Sequence, residues 1–156
     1  MDPAITASGE ALLRAWLSLT AAVCNRRIVS GLTFNEAVVC NHLLHQQQEA
    51  PDRPLNATDL CEKTSMLKSQ INLVLSSLEQ QGYLERSRSR TDRRQVDLTL
   101  TEAGRRAYEE AHQQASQLLG ELVSRIGIDT ADALTGQFDG IVAAIQDIQE
   151  QQKGTL

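Results

Sequence analysis

The feature that most constrains this chain is a change of hydrophobic period between residues 67 and 100. Leu67, Ile71, Val74, Leu75 and Leu78 step by 4, 3, 1 and 3, which lines one face of a helix. Gly82 follows, at the place where helices commonly stop on a left-handed residue. The period then falls to two. Val96, Leu98 and Leu100 share one face of a strand. Tyr83-Leu84-Glu85-Arg86 reads as a shorter strand before it, and the polar, arginine-rich Ser87–Arg94 lies between them. This pattern predicts a helix that runs into a β-hairpin with a basic tip.

The neighbouring segments extend the pattern. Asn56 can cap a short helix over Ala57–Lys63, and Thr64-Ser65 makes a tight turn into the helix at about Leu67–Gln81. That is a helix-turn-helix. Upstream, Thr33-Phe34-Asn35-Glu36 is a capping box that opens a helix through about Gln47, and Ala50-Pro51-Asp52-Arg53-Pro54 breaks it. A first helix is expected from about Ser8 to Ser30, its apolar face made by Leu12, Leu13, Trp16, Leu17, Val23 and Cys24. Thr101 can cap a long helix over Glu102–Ile126, which Gly127 closes. Asp129 is expected to cap the last helix, about Thr130–Gln152. There Leu134, Phe138, Ile141, Ile145 and Ile148 form a heptad-like seam.

The expected fold is therefore mainly α with a small β-hairpin wing. One domain of 156 residues is expected. A lobe at about 33–100, which carries the helix-turn-helix and the hairpin, is expected between terminal helices at about 8–30 and 102–152. Aromatic residues are only 3%, so the core must be aliphatic. In a thin aliphatic frame, the seam of the last helix is better placed to meet a partner chain than to fill a monomer core. Trp16 reads as a core residue before it reads as a ligand contact. No signal pattern or membrane-length apolar stretch is visible, so a cytoplasmic location is expected.

Charge refines the function. The net charge of −5 alone argues against a nucleic-acid partner. Its distribution argues the other way: Arg86, Arg88, Arg90, Arg93 and Arg94 stand against the single acid Asp92. From Ala107 onward there are eight acids and only Arg125 and Lys153 as bases. A local basic patch is all that phosphate binding needs. On a helix-turn-helix the second helix enters the major groove, which makes Lys68, Ser69, Gln70 and Asn72 the candidates for base contact. Arginines of the hairpin suit the negative potential of a narrow minor groove, and Asp92 can hold one of them in a fixed geometry.

The order helix, turn, helix, strand, basic loop, strand, helix resembles the MarR (multiple antibiotic resistance regulator) family. The matching residues are Leu78-Glu79-Gln80-Gln81-Gly82-Tyr83-Leu84-Glu85-Arg86, then Asp92-Arg93-Arg94, then Leu100-Thr101-Glu102-Ala103-Gly104. They fit that family's L-E-x-x-G-[L/Y]-[I/L/V]-x-R segment, its D-x-R wing and its L-T-x-x-G turn. The resemblance implies a homodimer that binds pseudo-palindromic double-stranded DNA, usually as a repressor. It also implies release by a small aromatic or anionic ligand held between the dimer helices and the DNA-binding lobe. Asp92 and Arg94 match the wing's acid and its minor-groove arginine. Leu73 departs from the pattern, since many members carry a polar or basic residue there; an apolar contact, such as with a thymine methyl, is what remains for it.

Other signals are weaker. Arg14, Trp16 and His42 are candidate ligand contacts in such a cleft. Cys24, Cys40 and Cys61 are spaced 16 and 21 apart and form no C-x-x-C, so reduced thiols are expected. A thiol switch acting in place of a ligand is a competing reading. A protein-interaction module without DNA binding is another. Ser65-Met66-Leu67-Lys68 fits S-x-x-K but lacks the companion motifs of serine acyl-enzymes. His42, His45 and His112 do not make a metal set, and no nucleophile–base constellation suggests an enzyme. No cofactor is expected.

Overall fold

The computed structural model describes residues 3–24, 31–89 and 95–153. The elements run α1 (Pro3–Cys24), α2 (Phe34–Glu49), α3 (Ala57–Thr64), α4 (Lys68–Gln80), β1 (Leu84–Arg88), β2 (Val96–Leu100), α5 (Glu102–Ile126) and α6 (Ile128–Lys153). The fold is mainly helical with one antiparallel hairpin, as the change of period predicts. Two compact units divide the chain, Met1–Ala115 and Ser116–Leu156.

In the first unit, the core lies where α2, α3, α4 and the hairpin meet. Val39, Cys40, Leu60, Ile71, Leu75 and Leu78 are fully buried, and Leu43, Leu84, Leu98 and Leu100 nearly so. Each buried aliphatic side chain of this size stabilises the fold by about 1.5–3 kcal/mol. In β1–β2, Leu84 faces Leu100 and Arg88 faces Val96. Leu55 joins the hairpin on its other side, and the Leu98 N–H donates to the Leu55 carbonyl at 2.9 Å.

The helix boundaries follow from their caps. Thr33 and Glu36 form the reciprocal capping box of α2, and Asn56 and Asp59 form that of α3. Gly82, at φ 73°, ends α4. Its N–H donates to Glu79 O at 3.0 Å and that of Tyr83 to Leu78 O at 2.8 Å, which satisfies two terminal carbonyls. The Thr101 hydroxyl accepts from the Gly104 N–H at 3.0 Å, capping α5.

Two expectations need correction. Asp129 does not cap α6, because the helix already begins at Ile128. Gly127, at φ 86°, turns the chain alone between α5 and α6 and leaves no room for a separate cap. Trp16 is not a core residue of the single chain. It is 52% exposed, as are Leu12, Leu13, Leu17 and Leu19 to similar degrees. In the second unit, Leu134, Phe138, Ile145 and Ile148 of the seam are likewise exposed, while Ile141 is half-buried. Among the described residues no helix is long and apolar enough to cross a membrane.

Candidate nucleic-acid interface

The turn between α3 and α4 is made by Ser65 at φ 56°, ψ 16°, a left-handed conformation that closes α3. The Thr64 hydroxyl donates to Leu60 O at 2.6 Å and accepts from the Met66 N–H at 3.3 Å, which holds the turn. Leu67, expected on the apolar face of this helix, instead occupies the N-cap of α4, is exposed and has no side-chain acceptor to offer. Gln70 supplies the reciprocal half of a cap alone: its Oε1 accepts from the Leu67 N–H at 2.9 Å. The buried face of α4 is Ile71, Val74, Leu75 and Leu78. Lys68, Ser69, Gln70 and Asn72 are all exposed, and so is Leu73, at 73%.

The base of α4 rests on a buried carboxylate. Glu36 is 5% exposed and accepts hydrogen bonds from the Thr33 N–H (2.7 Å), the Ser77 hydroxyl (2.7 Å) and the Gln81 amide (3.0 Å). Burial pushes its pKa up. Hydrogen bonds from the Thr33 N–H, the Ser77 hydroxyl, the Thr33 hydroxyl and the Gln81 amide outweigh burial and hold it below its ordinary value. Glu36 therefore fixes the C-terminal end of α4 against the start of α2 without a cation. The sequence marked Glu36 only as a local cap. Its other partners lie 41 and 45 residues away, and no local pattern announces them.

The hairpin is tied to the same lobe. The Arg86 Nε donates to Glu79 Oε2 at 3.0 Å, so this wing arginine binds the end of α4. Arg88 is exposed at the end of β1. The Asn56 amide donates to the Gln95 side chain at 3.3 Å, and the Ser89 N–H to the Gln95 carbonyl at 3.1 Å. Arg90, Asp92, Arg93 and Arg94 lie outside the described residues.

The candidate ligand contacts are placed as follows. Arg14 is exposed on α1 and lies 3.9 Å from Glu10. Trp16 is half exposed on the same helix. His42 is half-buried on α2, and burial, then Lys63 and His45, hold its pKa below the usual value. Nearby, the Tyr108 hydroxyl donates to Asn41 Oδ1 at 2.6 Å and joins α5 to α2. Cys40 is fully buried, and burial together with the Glu36 carboxylate pushes its thiol up to about 12. Cys61 is half-buried, and the side chain of Cys24 lies outside the described residues.

A helix-turn-helix braced by a two-stranded wing defines a winged-helix protein. The family described as transcriptional regulator SarA/Rot matches residues 28–111, more than half of the chain. The chain belongs to that family of transcriptional regulators, whose winged helix is of the MarR type. The HTH-type transcriptional regulator YwhA of Bacillus subtilis (strain 168) is 37% identical over 68 residues, 44% of this chain and 49% of that protein. The match thus spans about half the length of that relative. The transcriptional repressor CouR, solved on a 23-mer DNA duplex, is similar with a TM-score of 0.68 and 28% identity, over 86% of this chain and 91% of that one. The PcaV transcriptional regulator of Streptomyces coelicolor, solved with its natural ligand, shares the fold with a TM-score of 0.68 and 22% identity, over 85% and 90% of the two chains.

Proposed function

We propose that this regulator acts as a homodimer that binds a pseudo-palindromic site in double-stranded DNA. In this reading α4 enters the major groove and the arginine-bearing hairpin follows the adjoining minor groove. The observation that carries it is the outward face of α4. Lys68, Ser69, Gln70 and Asn72 stand exposed at the start of a helix that buries Ile71, Val74, Leu75 and Leu78, with Arg86 and Arg88 on the strand that follows. Arg90, Asp92, Arg93 and Arg94 extend that basic strip by sequence alone. The DNA-binding lobe is residues 33–100 or so, and the helices on either side make the dimer. Exposed apolar side chains on α1 and α6 support that role. CouR was solved on DNA, which supports the same reading.

The regulator represses and leaves DNA when a small aromatic or anionic ligand binds, as the resemblance to the MarR family implies; PcaV, which shares the fold, was solved with its natural ligand. Arg14, Trp16 and His42 are the proposed contacts. Selection from a random duplex pool tests the central claim. A palindromic consensus with two half-sites about one helical turn apart is expected. A pool that stays random after selection refutes it and favours a protein-interaction role. Sedimentation of the free protein gives the subunit count, and a monomer at micromolar concentration refutes the dimer.

A further inference from the structure

The outward ridge of α4 is not where its cation lies. At about 100° per residue, Ser69, Leu73, Ser76 and Gln80 fall on one line, opposite the buried Ile71, Val74, Leu75 and Leu78. Lys68 and Gln70 sit about 100° to either side of Ser69. Gln70 is further constrained, because its Oε1 already accepts the Leu67 N–H at 2.9 Å. Bidentate reading of adenine needs both ends of the amide turned to the base edge, and the bond to the Leu67 N–H holds the oxygen toward the helix start instead. The ridge itself carries two hydroxyls, an amide at its far end and, near its middle, a leucine.

Leu73 is the most exposed large apolar side chain among the described residues, at 73%. A single exposed leucine is ordinary on a protein surface. This one stands within a polar ridge, on the face that the proposed docking turns toward the base pairs. Against most base edges it would strip water from donors and acceptors and return no hydrogen bond. Only thymine presents an apolar group, its C5-methyl, in the major groove.

We infer that Leu73 determines specificity by packing on a thymine methyl in each half-site. α4 then selects that base pair by apolar contact, while Gln70 serves the helix start. The inference rests on α4 entering the major groove.

The test uses the duplex that the wild-type protein selects. Each thymine is replaced in turn by deoxyuridine, which pairs identically and lacks only the methyl group. At one position per half-site the replacement weakens wild-type binding about fourfold, the factor for one buried methyl group. In Leu73→Ala the same replacement has no effect, and the variant keeps the wild-type circular dichroism and melting temperature. A deoxyuridine profile identical in the two proteins overturns the inference, as does a profile flat in the wild type. If the wild type selects no sequence at all, the DNA-binding reading fails and this inference falls with it. Selective binding with a flat profile sinks this inference alone.

Discussion

Gly104→Ala should destabilise the protein although alanine is the better helix former. A Cβ at this position would lie 2.2 Å from the Tyr83 carbonyl oxygen, 2.9 Å from its carbon and 3.0 Å from its Cα. Even close C–H···O contacts keep carbon and oxygen about 3.3–3.6 Å apart, so α5 and the start of β1 must separate by about 1 Å. The surroundings resist that movement. Tyr83 O accepts the Thr101 N–H at 3.0 Å, the Thr101 hydroxyl donates to Gly82 O at 2.7 Å, and it accepts the Gly104 N–H at 3.0 Å. Overpacking costs about 1–3 kcal/mol, and stretching this corner adds about 0.5–1.5 kcal/mol. The gain in helix propensity returns about 1 kcal/mol. The net loss is about 0.5–3.5 kcal/mol. With a urea slope of about 2 kcal/mol/M, the midpoint falls by about 0.3–1.8 M at an unchanged slope. Protein concentration must be held fixed, because association would shift the midpoint as well. Gly120→Ala is the control on the same helix, since nothing lies within 4 Å of its added Cβ. Its midpoint should hold or rise. If Gly104→Ala rises as Gly120→Ala does, the close approach of α5 to Tyr83 is not a feature of the folded protein.

Four further outcomes are expected. The folded-state pKa of Glu36 is depressed, so its contribution to stability is present above the unfolded value and is lost as pH falls through the folded one. Stability should therefore drop below about pH 4.5; Glu36→Gln should cost about 1–3 kcal/mol at neutral pH and flatten that drop, and equal pH slopes in urea titrations would refute the role. Arg94→Ala should weaken binding to all duplexes alike and lower the magnitude of the salt slope by about one, against an unchanged slope if Arg94 meets no phosphate. Gln70→Ala should lower stability by about 0.5–1 kcal/mol and leave the selected DNA sequence unchanged; a relaxed consensus would restore it as a base reader. Cys40 should resist alkylation in the native protein at neutral pH and react only after unfolding; labelling at the rate of a free thiol would reopen a switch at this residue.

Hydrophobic period and caps carried the fold in the sequence because both are local. Thr33 and Glu36, Asn56, Gly82 and Thr101 each mark a boundary through groups within a few residues. The L-T-x-x-G turn also acquires a reason. Thr101 caps α5, and Gly104 leaves space for the Tyr83 backbone. Long-range polar partners were not legible. Nothing near Glu36 signals that Ser77 and Gln81 will close around it. A period shows which face of a helix is buried, but not which polar side chains turn back on their own lobe.

That distinction bears directly on the candidate interface. Sequence composition treats Lys68, Ser69, Gln70, Asn72, Arg86 and Arg88 as equivalent polar surface. The structure separates them by what each already holds. Gln70 is engaged by the backbone of Leu67, and Arg86 by Glu79. The Leu67 N–H fixes where the Gln70 amide oxygen points, and the Arg86 guanidinium already stands beside a carboxylate that offsets its charge. Arg86 is therefore better suited to setting the angle of the hairpin on α4 than to neutralising a phosphate. An exposed leucine surrenders only water. On a ridge of hydroxyls and one amide, the side chain with the least to lose is Leu73, and the specificity of such a helix then depends as much on which polar groups its own fold has occupied as on which ones it displays.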